Sequence, residues 1–446
     1  MPHGPRAVAH DLVQAALAAV DPFAAVCRHL RLDADGRYLR AGEGPAVDLQ
    51  QVERIVVVGA GKAALPMARA AESILDGERI HCGLVIVKAG QVVGTLPQSI
   101  EVVQGSHPVP DRRSLECTRR LTSCLQGLGP RDLVLVLLSG GGSSLMTLPV
   151  VGVELEQLEQ LGRELLAAGV PIDGINTVRK HLSQVKGGQL AAMAAPARVV
   201  ALILSDVVGS PLDVIASGPT APDPTTYTDA LQVLERHGLD RPEAVLRWLR
   251  EGVLGRHAET PKPGDPVFAG VQNLIIGSNE QAAEAAARRA RELGFGSLVL
   301  STSVEGEARE VARVYAALLR EVATRSRPLS RPACLVLGGE TTVTLCDSPG
   351  AGGRNQELAL AAALALEGLD NVLLVALATD GNDGPTDAGG AQCDGTTVAR
   401  ARALGLDAWD HLARNDAYPF FRALDDLLMT GPTGTNVNDL TLLLAF

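Results

Sequence analysis

Residues 54–64 read RIVVVGAGKAA, and residues 133–144 read LVLVLLSGGGSS. Each is an unbroken run of β-branched or leucine side chains, ended by glycines. Strands that read this way are buried on both faces, which is the signature of a parallel sheet covered by helices. The unit recurs outward from these two. Leu84–Val87, Glu101–Val103 and Val199–Leu204 read as further strands, and Ala63–Ile74, Arg113–Leu125, Leu155–Ala168 and Arg179–Ala195 as helices. A loop-like stretch, Ala216–Thr228, and two short helices, Asp229–His237 and Arg241–Gly252, follow. Three prolines within Thr260–Pro266 then mark a loop or linker. The rhythm resumes with strands Asn273–Ile276, Ser297–Leu300, Cys334–Leu337 and Val372–Ala378, and helices Asn279–Leu293, Glu307–Arg325 and Asn355–Leu366. Thr342–Cys346 reads as a strand pairing antiparallel beside Cys334–Leu337, and Leu440–Leu444 as a late strand. The expected fold is α/β, with two domains of three-layer α/β/α type, mostly parallel sheets and a cleft between them. Residues 1–240 make the expected first domain, with a boundary segment in 215–270. Residues 330–440 make the second, and 270–330 link the two or belong to the second.

Composition bounds the function. The chain has 446 residues, 46% hydrophobic and 20% charged, so it can bury a large core and is neither fibrous nor disordered. A net charge of −11 argues against general nucleic-acid binding. Only Lys62, Lys88, Lys180, Lys186 and Lys262 are lysines, so each stands out. Seven cysteines without CxxC spacing read as reduced, buried thiols of a cytoplasmic protein. His10–Val26 reads as an amphipathic helix rather than a signal peptide, and no apolar run reaches membrane-spanning length.

The glycine-bearing turns carry the candidate chemistry. Gly59-x-Gly61-x-x-Ala64 matches a dinucleotide fingerprint, but the next strand ends at Lys88 where a ribose-binding acid is expected. Lys62 at a helix start adds an ammonium to free backbone N–H groups, which suits a phosphate or carboxylate. Gly140, Gly141 and Gly142, followed by Ser143 and Ser144, let the backbone approach an anion. The GxSxG elbow that would make Ser143 a nucleophile is absent. Lys180 and Lys186, with Arg179, form a basic cluster fit for a small polyanion, with His181 a lesser candidate base. Asp206, at a strand's carboxyl end, is placed to orient a substrate hydroxyl, take its proton or hold Mg²⁺. Arg354 opens a helix after a glycine-rich loop and suits two-pronged anion binding. Asp380 and Asp383 lie in TDGNDGPTD, a partial calcium-loop pattern without the twelfth-position Glu, and Mg²⁺ shared with phosphates fits better. Asn279, which opens its helix, joins the cofactor-binding set. The inventory suits Mg²⁺-dependent phosphoryl transfer, which needs positioning and charge neutralisation.

Gly59–Ala64, Ser139–Ser144, Ser205–Thr220, Gly352–Glu357 and Thr379–Gly390 resemble, in order, the glycerate kinases that include the bacterial glycerate 2-kinases with a C-terminal MOFRL domain. Asn176–Gly188, NTVRKHLSQVKGG, also resembles that family. The resemblance spans nearly the whole chain. It implies a Rossmann-like first domain, a MOFRL-like second domain, and transfer of the γ-phosphate of ATP to D-glycerate in the cleft between them. It also implies that Lys62 and Arg354 are essential. One would neutralise the moving phosphoryl group and the other grip the glycerate carboxylate, with Asp206 on the hydroxyl side. The expected cofactors are ATP and Mg²⁺. The expected partner is the small-molecule substrate, with neither nucleic acid nor membrane, in a monomer or homodimer. The competing enzyme reading is an NAD(P)H-dependent hydroxypyruvate reductase, supported by GxGxxA and opposed by Lys88. The competing reading without turnover is a sugar-acid or nucleotide sensor.

Overall fold

The computed structural model describes residues 4–90 and 94–446. They divide into two compact units. Residues 22–205 and 210–276 form the N-terminal unit. Residues 4–21, 206–209 and 277–446 form the C-terminal unit.

The N-terminal unit begins with a small antiparallel sheet that the sequence pattern did not reveal. It comprises β1 (Leu30–Leu32), β2 (Tyr38–Ala41) and β3 (Val47–Asp48). Its strands are too short to show a period. The main sheet contains β4 (Ile55–Ala60), β5 (Ile80–Lys88), β6 (Glu101–Gly105), β7 (Leu133–Leu138), β8 (Arg198–Leu204) and β9 (Val271–Gly277). Their order is β6-β5-β4-β7-β8-β9, and the pairings from β6 through β8 are all parallel. Every residue of β4 and β7 is buried, as the unbroken apolar runs require. Truncating one of these leucines to alanine costs about 2–5 kcal/mol. The strand order reverses at β4, with β5 and β6 on one side and β7 and β8 on the other. That reversal opens a crevice at the carboxyl ends of β4 and β7, where open sheets bind ligands.

A second core in this unit is helical. Leu161, Leu165, Leu234 and Leu249 come from the helices Leu155–Ala167, Tyr227–Arg236 and Glu243–Val253, and pack with Val178 of the helix Ile172–His181. The single helix expected over Arg179–Ala195 is two, Ile172–His181 and Gln189–Ala194, separated by a turn that ends at Gly187-Gly188.

The C-terminal unit carries β10 (Gly296–Glu307), β11 (Ala333–Thr342), β12 (Val372–Ala378), β13 (Gly390–Cys393), β14 (Leu427–Leu428) and β15 (Asp439–Ala445) in the order β10-β11-β15-β12-β13-β14. The mostly parallel pattern holds for the N-terminal sheet. Here only β10–β11 is parallel, because β15 enters between β11 and β12 running opposite to both. An apolar run shows that a strand is buried but not which way it runs. β11 continues through Thr342, so Thr342–Cys346 is not a separate strand beside it.

Two boundaries differ from the expected ones. The helix over His10–Val26 is broken into Pro5–Ala19 and Pro22–His29, since Pro22 has no N–H with which to continue the first helix. The helix Pro5–Ala19 belongs to the C-terminal unit. Asp11 accepts from Arg289 Nε (3.1 Å) and Nη2 (2.7 Å), and Arg6 pairs with Asp426.

The expectation of seven reduced thiols also fails. Cys82 on β5 and Cys124, at the end of the helix Arg112–Ser123, form a disulfide, and Cys346 is exposed. Strand and helix pack together, so two cysteines 42 residues apart meet. Among the described residues no helix is long and apolar enough to cross a membrane.

Candidate active site

At the β4–β7 crevice the two glycine turns interlock. Lys62 N donates to Gly140 O at 2.8 Å, and Ala63 N donates to Ser139 Oγ at 3.0 Å. Gly61 sits so close to Ser139 that a Cβ there would collide with the serine hydroxyl. Gly141 has φ +83°, and a Cβ on it would come 2.9 Å from His107 Cδ2 and 3.5 Å from Lys62 Cγ. The backbone of the second turn therefore lies against the Lys62 stem and the His107 ring.

The charge at this edge is lopsided. Lys62 follows β4 and Lys88 ends β5, both half-buried. Among the described residues of this unit, neither has a carboxylate partner. His107 lies two residues beyond β6. Burial, reinforced by Lys62 and then Lys88, lowers its pKa to about 4. The imidazole is therefore neutral at neutral pH and can bond an anion without adding charge. Two ammonium groups at this glycine backbone, which no carboxylate of the unit's described residues meets, focus a positive potential at this point in a chain of net charge −11.

A serine relay closes the crevice. Ser143 Oγ lies 2.9 Å from Ser217 Oγ, and Ser217 donates to Asn176 Oδ1 at 3.1 Å. Ser143 therefore donates to Ser217, has no base, and is not an activated nucleophile. Ala216 and Ser217 take left-handed φ values of +51° and +61°. Non-glycine residues held this way cost about 1–3 kcal/mol each and gather at functional sites.

The basic cluster splits. Lys180 Nζ is bound to Asp213 (3.0 Å) and Asp223 (3.4 Å). Burial works against the charge of Asp223, but the Thr225 hydroxyl and Lys180 hold its pKa below the ordinary carboxylate value. His181 is buried, with Nδ1 2.8 Å from Thr177 O and Nε2 3.3 Å from Glu259. Both residues are used internally. Lys186 is different. It is buried, among the described residues its one hydrogen bond is to Met146 O at 2.6 Å, and burial together with Arg179 brings it down to about 7. Asp206 follows β8, half-buried, and groups with the C-terminal unit.

In the C-terminal unit Arg354 opens the helix Arg354–Leu366. It pairs two-pronged with Asp439, Nε to Oδ2 at 2.6 Å and Nη2 to Oδ1 at 3.0 Å, and its Nη1 donates to Glu340 at 2.6 Å. Burial pushes Asp439 up to about 7 against the pull of Arg354. Asn279 Nδ2 donates to the Val437 and Asp439 carbonyls, both at 2.8 Å, which ties its helix to β15 and leaves its Oδ1 unbonded.

Asp383, expected to hold Mg²⁺, is turned to a helix N-terminus. It is 1% exposed. Its Oδ1 accepts from Asn355 N (3.0 Å) and Nδ2 (3.2 Å), and its Oδ2 from Gln356 N (2.8 Å). It caps the helix from a distant loop, which gives both oxygens a structural use. Asp380 is half-buried and accepts only from Asn382 N at 3.0 Å, through Oδ1. Among the described residues there is no group of three or more His, Cys, Asp or Glu that could hold a metal ion.

The family described as "Domain of unknown function (DUF4147)" matches residues 8–250, and the MOFRL family matches residues 333–439. D-glycerate 2-kinase of Thermotoga maritima is 47% identical over 389 residues, covering 87% of this chain and 90% of that protein. Glycerate 2-kinase of Pyrococcus horikoshii is 41% identical over 439 residues, covering 98% and 96%. The crystal structure of glycerate kinase from Thermotoga maritima superposes with a TM-score of 0.87 at 43% identity, covering 98% of this chain and 99% of that one. The chain belongs to the glycerate 2-kinase family.

Four residues of this glycerate 2-kinase family member escaped the sequence reading. His107 follows a weak strand, and no motif marks it. Lys88 was visible only as evidence against a dinucleotide acid. Glu340 and Asp439 flank Arg354 from positions 14 and 85 residues away. The polar stretch Gly431–Asp439 is the local sign of Asp439, which starts β15.

Proposed function

We propose that this chain is a glycerate 2-kinase, transferring the γ-phosphate of ATP to the 2-hydroxyl of D-glycerate to give 2-phosphoglycerate and ADP. The observation that carries this reading is the pair Lys62 and Lys88 at the glycine turns of the β4–β7 crevice, which meet no carboxylate among the described residues of the N-terminal unit. Cations drawn out of water are normally paired, so two half-buried ammonium groups that meet no carboxylate of their own unit suit an anion. In the reaction a bond forms between the glycerate 2-oxygen and Pγ, and the bond from Pγ to the β–γ bridging oxygen breaks. The hydroxyl proton passes to Asp206, and the bonding electrons leave with ADP. Lys62 neutralises the equatorial oxygens of the moving phosphoryl group, where charge is concentrated in the transition state. Neutral His107 offers a further hydrogen bond at the same place. Arg354 exchanges the half-exposed Glu340 for the substrate carboxylate and keeps buried Asp439 as its anchor.

Mg²⁺ is held in such sites by one or two carboxylates and the substrate phosphates. Asp380, with an unused oxygen, fits that role, and Asp383 does not. When bound, the ion would neutralise charge on the β- and γ-phosphates.

Lys88 at the end of β5 opposes a nicotinamide-dependent reductase, because a ribose-binding acid belongs there. Incubation with ATP, Mg²⁺ and D-glycerate, followed by phosphorus NMR, tests the proposal. A 2-phosphoglycerate signal is expected. Only unreacted ATP, or oxidation of NADH by hydroxypyruvate in its place, would overturn it.

A further inference from the structure

Behind the Arg354–Asp439 pair, one face of the C-terminal sheet carries buried polar side chains. Asp439 and Thr441 lie two residues apart on β15, so they share a face. Thr341 lies on the neighbouring β11. With Tyr315 of the helix Ala308–Arg325 and Asn355 of the helix Arg354–Leu366, these three line a cavity of about 10 Å³. All of it lies within the C-terminal unit.

Tyr315 is the informative residue. It is 4% exposed, yet its hydroxyl meets no hydrogen-bond partner among the described residues. A buried tyrosine hydroxyl usually has one. The buried hydroxyls of Thr341 and Thr441 meet none either. Burial, reinforced by Asp439, pushes the Tyr315 phenol above its ordinary value, so it keeps its proton as a donor. Asp439 has acceptor capacity to spare. Each of its oxygens takes one bond from Arg354, and a carboxylate oxygen accepts about two. The cavity has about the room of one water, which needs roughly two to four polar partners. Three orphaned hydroxyls and a carboxylate supply them.

We propose that this cavity holds one bound water, which accepts a hydrogen bond from Tyr315 and donates one to Asp439, and that Tyr315 is thereby a positioning residue for Arg354. The second proton of the water goes to a threonine hydroxyl. The water favours the ionised carboxylate, and the ionised carboxylate holds the guanidinium two-pronged. Nη1 is thus kept on Glu340, at the bond that glycerate is to take over. Other groups bear on Asp439. Burial opposes its ionisation most, Asp383 adds to that, and Arg354 and Asn355 favour it. Glu340 acts through Arg354. The effect on glycerate rests on the kinase reading above, whereas the water and its effect on Asp439 do not.

Carboxyl-carbon NMR of the full chain across pH tests this, with the Asp439 signal assigned by its loss in D439N. Y315F should raise the Asp439 midpoint by about one pH unit, the worth of a hydrogen bond to a carboxylate. T441V should raise it by less. In turnover near pH 7, Y315F should raise the KM for D-glycerate about fivefold, as the ionised fraction of Asp439 falls. The difference should fade at higher pH, and the KM for ATP should not change. A high-resolution crystal structure of the parent should show the water between Tyr315 and Asp439. A midpoint unmoved in Y315F would overturn the proposal, and so would a parent crystal structure without the water. The crystal structure and T441V decide the matter if Y315F does not fold. A shifted midpoint with an unchanged KM for D-glycerate would support the water and overturn the positioning role. A shifted midpoint in a chain that phosphorylates no glycerate would support the water and reject the kinase reading.

Discussion

The two units handle positive charge in opposite ways. At the β4–β7 crevice of the N-terminal unit, Lys62 and Lys88 meet no carboxylate among the described residues of that unit, and they reinforce the burial that keeps a neighbouring histidine neutral. At the strand ends of the C-terminal unit, Arg354 is held by two carboxylates, one of them buried. The first arrangement is poorly compensated until an anion arrives. The second is complete and must give up a bond to accept one. Unpaired cations therefore point to a ligand more strongly than a well-made ion pair does, because the pair already has a structural reason to exist.

The sharpest way to break this contrast is Arg354→Ala. It strips the partner from buried Asp439, and loss of one member of a buried pair costs about 3–5 kcal/mol. Denaturant unfolding should show that loss, with glycerate turnover falling alongside. The pH dependence has a definite sign. Asp439 has a folded pKa raised to about 7. Its protonated form is favoured in the fold, and stability is lost as pH rises through that value. Without Arg354 the value rises further, so the penalty should grow from acid to neutral pH. D439N in the same background should recover most of the stability without restoring turnover. Equal stability of R354A and the parent at pH 8 would remove the structural half of the comparison.

Lys62→Met should behave in the opposite way. Removing one electrostatic stabiliser of a transition state costs about 100- to 1,000-fold in rate, whereas losing an unpaired, half-buried cation should change stability by no more than about 0.5 kcal/mol. A kcat near that of the parent would sink the assignment of Lys62. A large drop in melting temperature would show that the lysine is structural after all.

What the sequence revealed divides along the same line. The N-terminal sheet and Lys62 were legible because strand, glycine turn and helix start are contiguous, and the pattern is local. Arg354 was legible as an anion binder, but its engagement by Asp439 and Glu340 was not, since β15 arrives from the end of the chain. Lys180 and Lys186 look alike in NTVRKHLSQVKGG. Only the arrival of Asp213 and Asp223 from downstream makes one structural and leaves the other open. Asp383 was ambiguous because an acid in a glycine-rich loop reads the same whether it faces a cation or a helix N-terminus.

That ambiguity leads to a smaller test. Asp383→Ala should cost about 1–2 kcal/mol, the usual loss for a helix cap, and leave the Mg²⁺ concentration needed for half-maximal turnover unchanged. Asp380→Asn should do the reverse, with stability kept and the Mg²⁺ requirement raised. If Asp383→Ala raised the Mg²⁺ requirement at constant stability, the capping role would have to be given up.

The smallest effect is the most direct reading of the field at the crevice. His107 is held at about 4 by burial first and by Lys62 and Lys88 second. Its folded value lies below the ordinary 6.5, so the unfolded chain binds the proton more readily. The stability it contributes is full above 6.5 and is lost as pH falls through about 4. Imidazole NMR should find it neutral throughout the physiological range. Lys62→Met and Lys88→Met should each raise its pKa only part of the way, because burial remains. Neither variant should bring it to the ordinary value. A bound phosphate should also raise it, by setting a negative charge against the lysines. If titration of the parent instead showed an ordinary histidine, unmoved by either substitution, the lysines would not act on this point. The positive focus that separates the two units would then be absent.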